Sequence, residues 1–230
     1  MPTIINIETS TDVCSVALTS EGAVLEHFEE FNGRNHATLL SGFIKGCIDH
    51  LRRHEMMLDA IAVSMGPGSY TGLRIGLSEA KGLAYAMDVP LIGVDTLKLM
   101  AVSVMFSQEE LEPDVMFAPM IDARRMEVYT AVYDLALNAL AEPTPLILGD
   151  DSYEKWLERG PVLFFGNGSD KAREVIRHPN ARFVSDIKPL AVDMLALSDM
   201  AYRAGNFLDL AYSVPTYLKD FQATKPKKLF

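Results

Sequence analysis

The segment Gly66-Pro67-Gly68-Ser69-Tyr70-Thr71-Gly72-Leu73-Arg74-Ile75-Gly76 constrains this chain more than any other stretch. It leaves an apolar run, Ala60 to Met65, that reads as a buried strand, and it enters a helical composition from Leu73 to Met87. Strand, glycine-rich turn and helix in that order form the unit of an α/β sheet. Glycines there permit positive φ angles, and amides at a helix start can cradle an anion. No Lys-Ser or Lys-Thr pair follows the last glycine, so this is not the phosphate loop of the common nucleotide hydrolases. An anion cradle and a purely structural tight turn both fit the residues.

The same alternation runs along the chain. Ile4-Ile5-Asn6-Ile7, Val13 to Thr19 and Ala23 to Phe31 read as three strands of a meander, parted by Thr9-Ser10-Thr11-Asp12 and Ser20-Glu21-Gly22. Leu39, Leu40, Phe43, Ile44, Cys47, Ile48 and Leu51, spaced at three and four, predict an amphipathic helix. Pro90 to Val94 reads as a short strand, and Thr96 to Phe106 as a helix that Asp95 or Thr96 can cap. Charges cluster from Glu109 to Asp114, and two apolar runs, Val115 to Asp122 and Glu127 to Asp134, follow about the turn Ala123-Arg124-Arg125. Beyond lie a helix around Tyr153 to Glu158, a strand Val162 to Phe165, a Gly-Asn-Gly-Ser turn, a helix from Asp170 and an apolar helix from Ala191 to Ala204. The expectation is an α/β chain in two lobes, 1–106 and 107–230, both opening with strands as an internal duplication would.

Composition narrows the setting. Hydrophobic residues at 49% and charged ones at 23% are the balance of a packed globular protein. Cys14 and Cys47 form no Cys-x-x-Cys pair, which fits a reducing cytosol. The first residues lack the basic stretch and apolar core of a secretion signal, and no uncharged run approaches the ~18 apolar residues of a membrane span. A formal charge of -10 sets up repulsion toward a polyphosphate, so RNA would be reached through a partner.

Within the helix after the glycine segment, Gly72, Gly76, Ala80 and Ala84 repeat every fourth residue. Glycine inside a helix costs about 1 kcal/mol relative to alanine, so Gly72, Gly76 and Gly82 point to a close neighbouring backbone. That neighbour is either the protein's own sheet and first helix or a second subunit. The first helix carries a wider apolar stripe than one buried face requires, and large exposed apolar patches mark contact sites. His50 and His54 stand four apart, a spacing that lets two imidazoles share a metal, but no third ligand is evident and a solvated helix end serves equally. His27, His36 and His178 are isolated, and no catalytic triad follows from spacing. Arg124 and Arg125 suit either an anion contact or a charged turn.

Several segments together resemble the TsaB family, the dimerisation subunit of the bacterial machinery that makes threonylcarbamoyladenosine (t6A) in tRNA. They are Ile4 to Thr11 leading to Ser15-Val16-Ala17-Leu18, the Gly66 to Gly76 segment with Ala80-Lys81-Gly82-Leu83-Ala84, Ile121 to Tyr129, and Pro215-Thr216-Tyr217-Leu218-Lys219. The resemblance implies a two-lobed fold of the actin, sugar kinase and Hsp70 type, each lobe a five-stranded mixed sheet with helices. It also implies kinship with TsaD, the transferase that carries a His-x-x-x-His metal pair. At the comparable place this chain has Thr96 and Met100, whose hydroxyl and thioether do not replace two imidazoles.

The resemblance therefore implies a noncatalytic scaffold with no intrinsic cofactor, ATP and metal belonging to partner subunits. It would bind and stabilise a TsaD-like subunit through Leu39, Leu40, Phe43, Ile44, Cys47, Gly72, Leu73, Gly76 and Ala80. A TsaE-like ATPase would dock on the pair, tRNA would be reached only indirectly, and the chain alone would form a homodimer. The alternatives are a nucleotide-binding ATPase or kinase of the same fold, with Glu8, Thr9, Ser10, Gly166 and Gly168 around the nucleotide, a glycoprotease-like peptidase, and a globular protein without an obligate partner.

Overall fold

The structure, a computed structural model, describes residues 1–31, 33 and 35–219, so the basic tail with Lys225, Lys227 and Lys228 lies outside the described residues. The chain order is β1 (Ile4–Glu8), β2 (Cys14–Ser20), β3 (Ala23–Glu30), α1 (His36–Arg53), β4 (Ala60–Gly66), α2 (Tyr70–Met87), β5 (Leu91–Asp95) and α3 (Thr96–Ser107). It continues with β6 (Met116–Asp122), β7 (Glu127–Tyr133), β8 (Ala139–Ile147), α4 (Glu154–Leu157), β9 (Val162–Phe165), α5 (Ser169–Val175) and β10 (Ala181–Val184). A 3-10 turn, Ala191–Met194, then leads into α6 (Leu195–Arg203).

The strands form two five-stranded sheets, β3-β2-β1-β4-β5 and β8-β7-β6-β9-β10. In each, the first three strands pair antiparallel and the last two join parallel. The same topology twice over is the internal duplication.

In the first lobe α1 and α2 cover one face, with Leu40, Ile44, Cys47, Leu77 and Ala80 packed on Ile5, Ile7, Val16 and Val63. The opposite face buries Ile4, Ala60, Ala62, Ile92 and Val94 beneath Leu99 and the Met194 to Tyr202 region. In the second lobe Met116, Ala118 and Met120 face α4 and α5, while the alternate residues Phe117 and Ile121 face α3, as the two-residue period of a strand requires. Helix α3 is thus shared: Leu99 packs on the first sheet, and Leu97, Met100, Ala101 and Val104 on the second. Being apolar nearly all round, it suits a position between two sheets, and Asp95 caps it by accepting from the Lys98 amide at 2.7 Å.

The lobe boundary expected at 106 and 107 falls at the end of α3. Beyond β10 the chain returns to the first lobe, where Ala191 N donates to Ser15 Oγ at 2.9 Å and α6 joins the β1, β4 and β5 face. After α6, residues 207–219 run as a strap along the first lobe, with Leu208 N donating to Leu91 O and Thr216 N to Met65 O. The second lobe proper therefore ends near Val184.

Candidate functional site

Two surfaces carry the residues singled out from the sequence: a cleft between the lobes and the outer side of α1 and α2. The glycine segment forms one wall of the cleft, and tight packing dictates its shape. Gly66 adopts φ 103 before a cis peptide to Pro67, and a methyl group at Gly68 would lie 2.3 Å from Ser10 O. Ser69 N donates to Ser10 O at 2.6 Å, Ser69 Oγ accepts from Gly72 N at 3.2 Å, and Thr9 Oγ1 donates to Gly72 O at 2.9 Å. The segment is a clamp closed on the chain's own Thr9-Ser10 turn.

The cleft has a volume of about 490 Å³ and is lined from the first lobe by Ser10 to Asp12 and Pro67 to Thr71, and from the second by Asp122, Arg124, Tyr129 and Asn167. Arg124 and Arg125 form a turn with two consecutive left-handed residues, φ 70 and 52. Asp122 sits at its base, its amide donating to Asn167 Oδ1 at 2.8 Å and its carboxylate paired with Lys171 at 2.6 Å.

Of the nucleotide candidates, Glu8, Thr9 and Ser10 come together at the end of β1, all fully buried. Glu8 lies behind the cleft rather than in its lining. Its Oε1 accepts from Ser10 N, and burial pushes its carboxyl up to about 7, against hydrogen bonds from Ser10, Ser64 and Thr9 that pull it down. Gly166 and Gly168 are turned into second-lobe packing: a methyl group would lie 2.3 Å from Met100 Cε at Gly166 and 2.8 Å from Val128 Cγ1 at Gly168. Thr96 and Met100 are both buried. Their hydroxyl and thioether, enclosed in this packing, are a poor donor set for a divalent metal.

His50 and His54 do stand side by side, with ring centroids 4.5 Å apart. His50 Nδ1 lies 3.2 Å from Glu26 Oε2, a partner on β3 that spacing could not supply. Among the described residues no three His, Cys, Asp or Glu side chains are grouped to hold a metal ion. Burial raises the Cys14 and Cys47 thiols to about 11 and about 12, so neither is poised as a nucleophile.

The outer side of α1 and α2 corrects the expected interface. Leu40, Ile44, Cys47, Gly72, Leu73, Gly76 and Ala80 are buried inside the chain, and only Leu39 and Phe43 of the expected set reach solvent in part. The glycine stripe does meet a close neighbour, but it is internal: a methyl group at Gly72 would lie 2.1 Å from Thr9 O, and at Gly76 2.2 Å from Thr9 Oγ1. The surface these helices present is different. Ser41, Gly42 and Lys45 of α1 and Ser78, Gly82, Tyr85 and Ala86 of α2 are exposed, and Ser41 Oγ donates to Glu79 at 2.9 Å between the helices. Gly42 and Gly82 have nothing within 4 Å of where a Cβ would stand, and Tyr85 is 80% exposed.

The comparisons with known proteins agree with this architecture. Residues 29–227 match the TsaD family, tRNA N6-adenosine threonylcarbamoyltransferase. The tRNA threonylcarbamoyladenosine biosynthesis protein TsaB of Escherichia coli (strain K12) is 31% identical over 233 residues, covering 96% of each chain. The chain belongs to the TsaB family. TsaB of Bacillus subtilis (strain 168) is 31% identical over 182 residues, 76% of this chain and 75% of that one. YeaZ from Pseudomonas aeruginosa superposes with a TM-score of 0.75 at 28% identity, over 95% of this chain and 100% of the other. TsaB proteins are named for t6A biosynthesis, and that is the pathway in which this family member belongs. No helix of the described residues is long and apolar enough to cross a membrane.

Proposed function

We propose that this chain is a noncatalytic scaffold that binds and stabilises a TsaD-like transferase in t6A modification, acting in the cytoplasm. The observation that carries the proposal is the outer side of α1 and α2. Gly42 and Gly82 sit inside helices with open space above them. Each forgoes about 1 kcal/mol of helix stability relative to alanine with no internal contact to account for it. Bare backbone flanked by Tyr85, Ile75, Leu83 and Leu39 suits another helix pair approaching closely. A TsaD-like subunit of the same fold would offer such a pair, and in its absence a second copy of this chain would do so. A TsaE-like ATPase docks on the assembled pair, which supplies the ATP and metal chemistry, and tRNA is held mainly by the other subunits.

Gly82→Leu tests this directly. The new side chain enters open space and improves helix propensity, so the isolated chain should melt at an equal or higher temperature. Its affinity for the TsaD-like subunit, measured by titration calorimetry, should fall at least tenfold. Unaltered affinity would refute this placement.

A further inference from the structure

We propose that the strap of residues 207–219 is a clasp across the mouth of the interlobe cleft, fastened to the second lobe by the Lys219 to Glu127 ion pair, and that releasing it opens the cleft without unfolding either lobe. Nearly every fastening lies on the first lobe. Leu208 N donates to Leu91 O at 2.8 Å, and the Leu208 side chain covers Gly93. Lys81 Nζ, on α2, donates to Ala211 O at 3.2 Å and Ser213 O at 2.7 Å. Thr216 N donates to Met65 O at 2.7 Å. Tyr217 is held by α2: its hydroxyl accepts from Arg74 Nε at 3.0 Å, its ring lies 5.0 Å from Tyr70, and the Arg74 guanidinium stacks 4.0 Å over the Tyr70 ring.

Two residues later the strap changes lobes. Lys219 pairs with the carboxylate of Glu127 at the start of β7. Among the described residues this is the strap's only ion pair to the second lobe. The groups around it are Lys171, whose Nζ reaches Glu127 O at 3.3 Å and Asp122 Oδ1 at 2.6 Å, and the exposed Arg124. Thr216, Tyr217, Leu218 and Lys219 line the cleft together with both lobes.

The lobes are also joined at Asp95 and α3. There α3 is embedded in both cores, and Tyr133 donates to Asp95 Oδ1 at 3.4 Å. In this proposal the hydrophobic joint at α3 serves as a hinge and the Lys219 to Glu127 pair as a catch. Lys219 is 36% exposed and Glu127 17%. A pair this open to water contributes a factor of about 5 or less to an equilibrium and weakens in salt. The catch is thus easily released, and the cleft behind it, about 490 Å³, is within the usual range for small-molecule sites.

Spin labels at Thr71→Cys and Asp170→Cys, exposed helix-start positions on opposite lobes, report the opening by double electron–electron resonance. Cys14 and Cys47 are buried and do not compete for the label. Lys219→Gln and Glu127→Gln should each add a longer-distance population, the open fraction rising by a factor of about 5 or less. Lys219→Arg should keep the parent distribution, and about 1 M salt should reproduce the Gln variants in the unsubstituted strap. Distances unchanged in both Gln variants and at high salt would overturn the proposal.

Discussion

Burial raises the carboxyl of Glu8, as it raises those of Asp95 and Asp193. Glu8 is fully buried at the end of β1, and burial raises it from an ordinary 4.5 to about 7. The folded state then holds a proton that the unfolded chain releases, so Glu8 supports the fold below pH 4.5 and loses that contribution as pH rises to about 7. A shift of this size corresponds to roughly 3 kcal/mol at most. Urea denaturation of the isolated chain should give a lower midpoint at pH 8 than at pH 5, and Glu8→Gln should flatten that difference. An equal slope in the variant would assign the pH dependence elsewhere. The acidic residue is visible in the sequence, but its protonation state is not, because it follows from the sheets and the Thr9-Ser10 turn closing over it.

Helix α2 has two glycine-bearing sides with opposite consequences. Gly76→Ala drives a methyl group to 2.2 Å from Thr9 Oγ1, and overpacking of this kind destabilises by about 1–3 kcal/mol. Gly82→Ala meets nothing and should stabilise by about 1 kcal/mol. Thermal melts of the two variants should move in opposite directions, and movement in the same direction would show that the two sides do not differ in this way. The sequence announces close approach at both sides, since helical glycine is unfavourable, but not which neighbour each one meets. The apolar run of β9 and the amphipathic period of α1 are legible. The edge strand β8 is not, because Pro143 and Pro145 make Ala139–Ile147 read as loop, and the four-residue β10 is too short to show alternation. The apolar run from Ala191 reads as one helix, yet its first turn is 3-10, where Ala191 N turns aside to Ser15.

At the scale of the whole molecule, two strand-rich beginnings foreshadow the duplication, and the two matching sheets realise it. The return of α6 and the strap to the first lobe leaves no such trace, because the partners of Ala191 and Leu208 are more than a hundred residues away in sequence. This fold retains the transferase architecture with Thr96 and Met100 closed into its interior. On the proposed function, the chain contributes a surface to a reaction performed by its partner. The most direct test incubates purified protein with threonylcarbamoyl-AMP and unmodified tRNA, alone and with a TsaD-like and a TsaE-like subunit, and quantifies t6A by mass spectrometry. The predicted result is t6A only when the TsaD-like subunit is present, with the yield dependent on this chain. Modified nucleoside formed by this chain alone would contradict it.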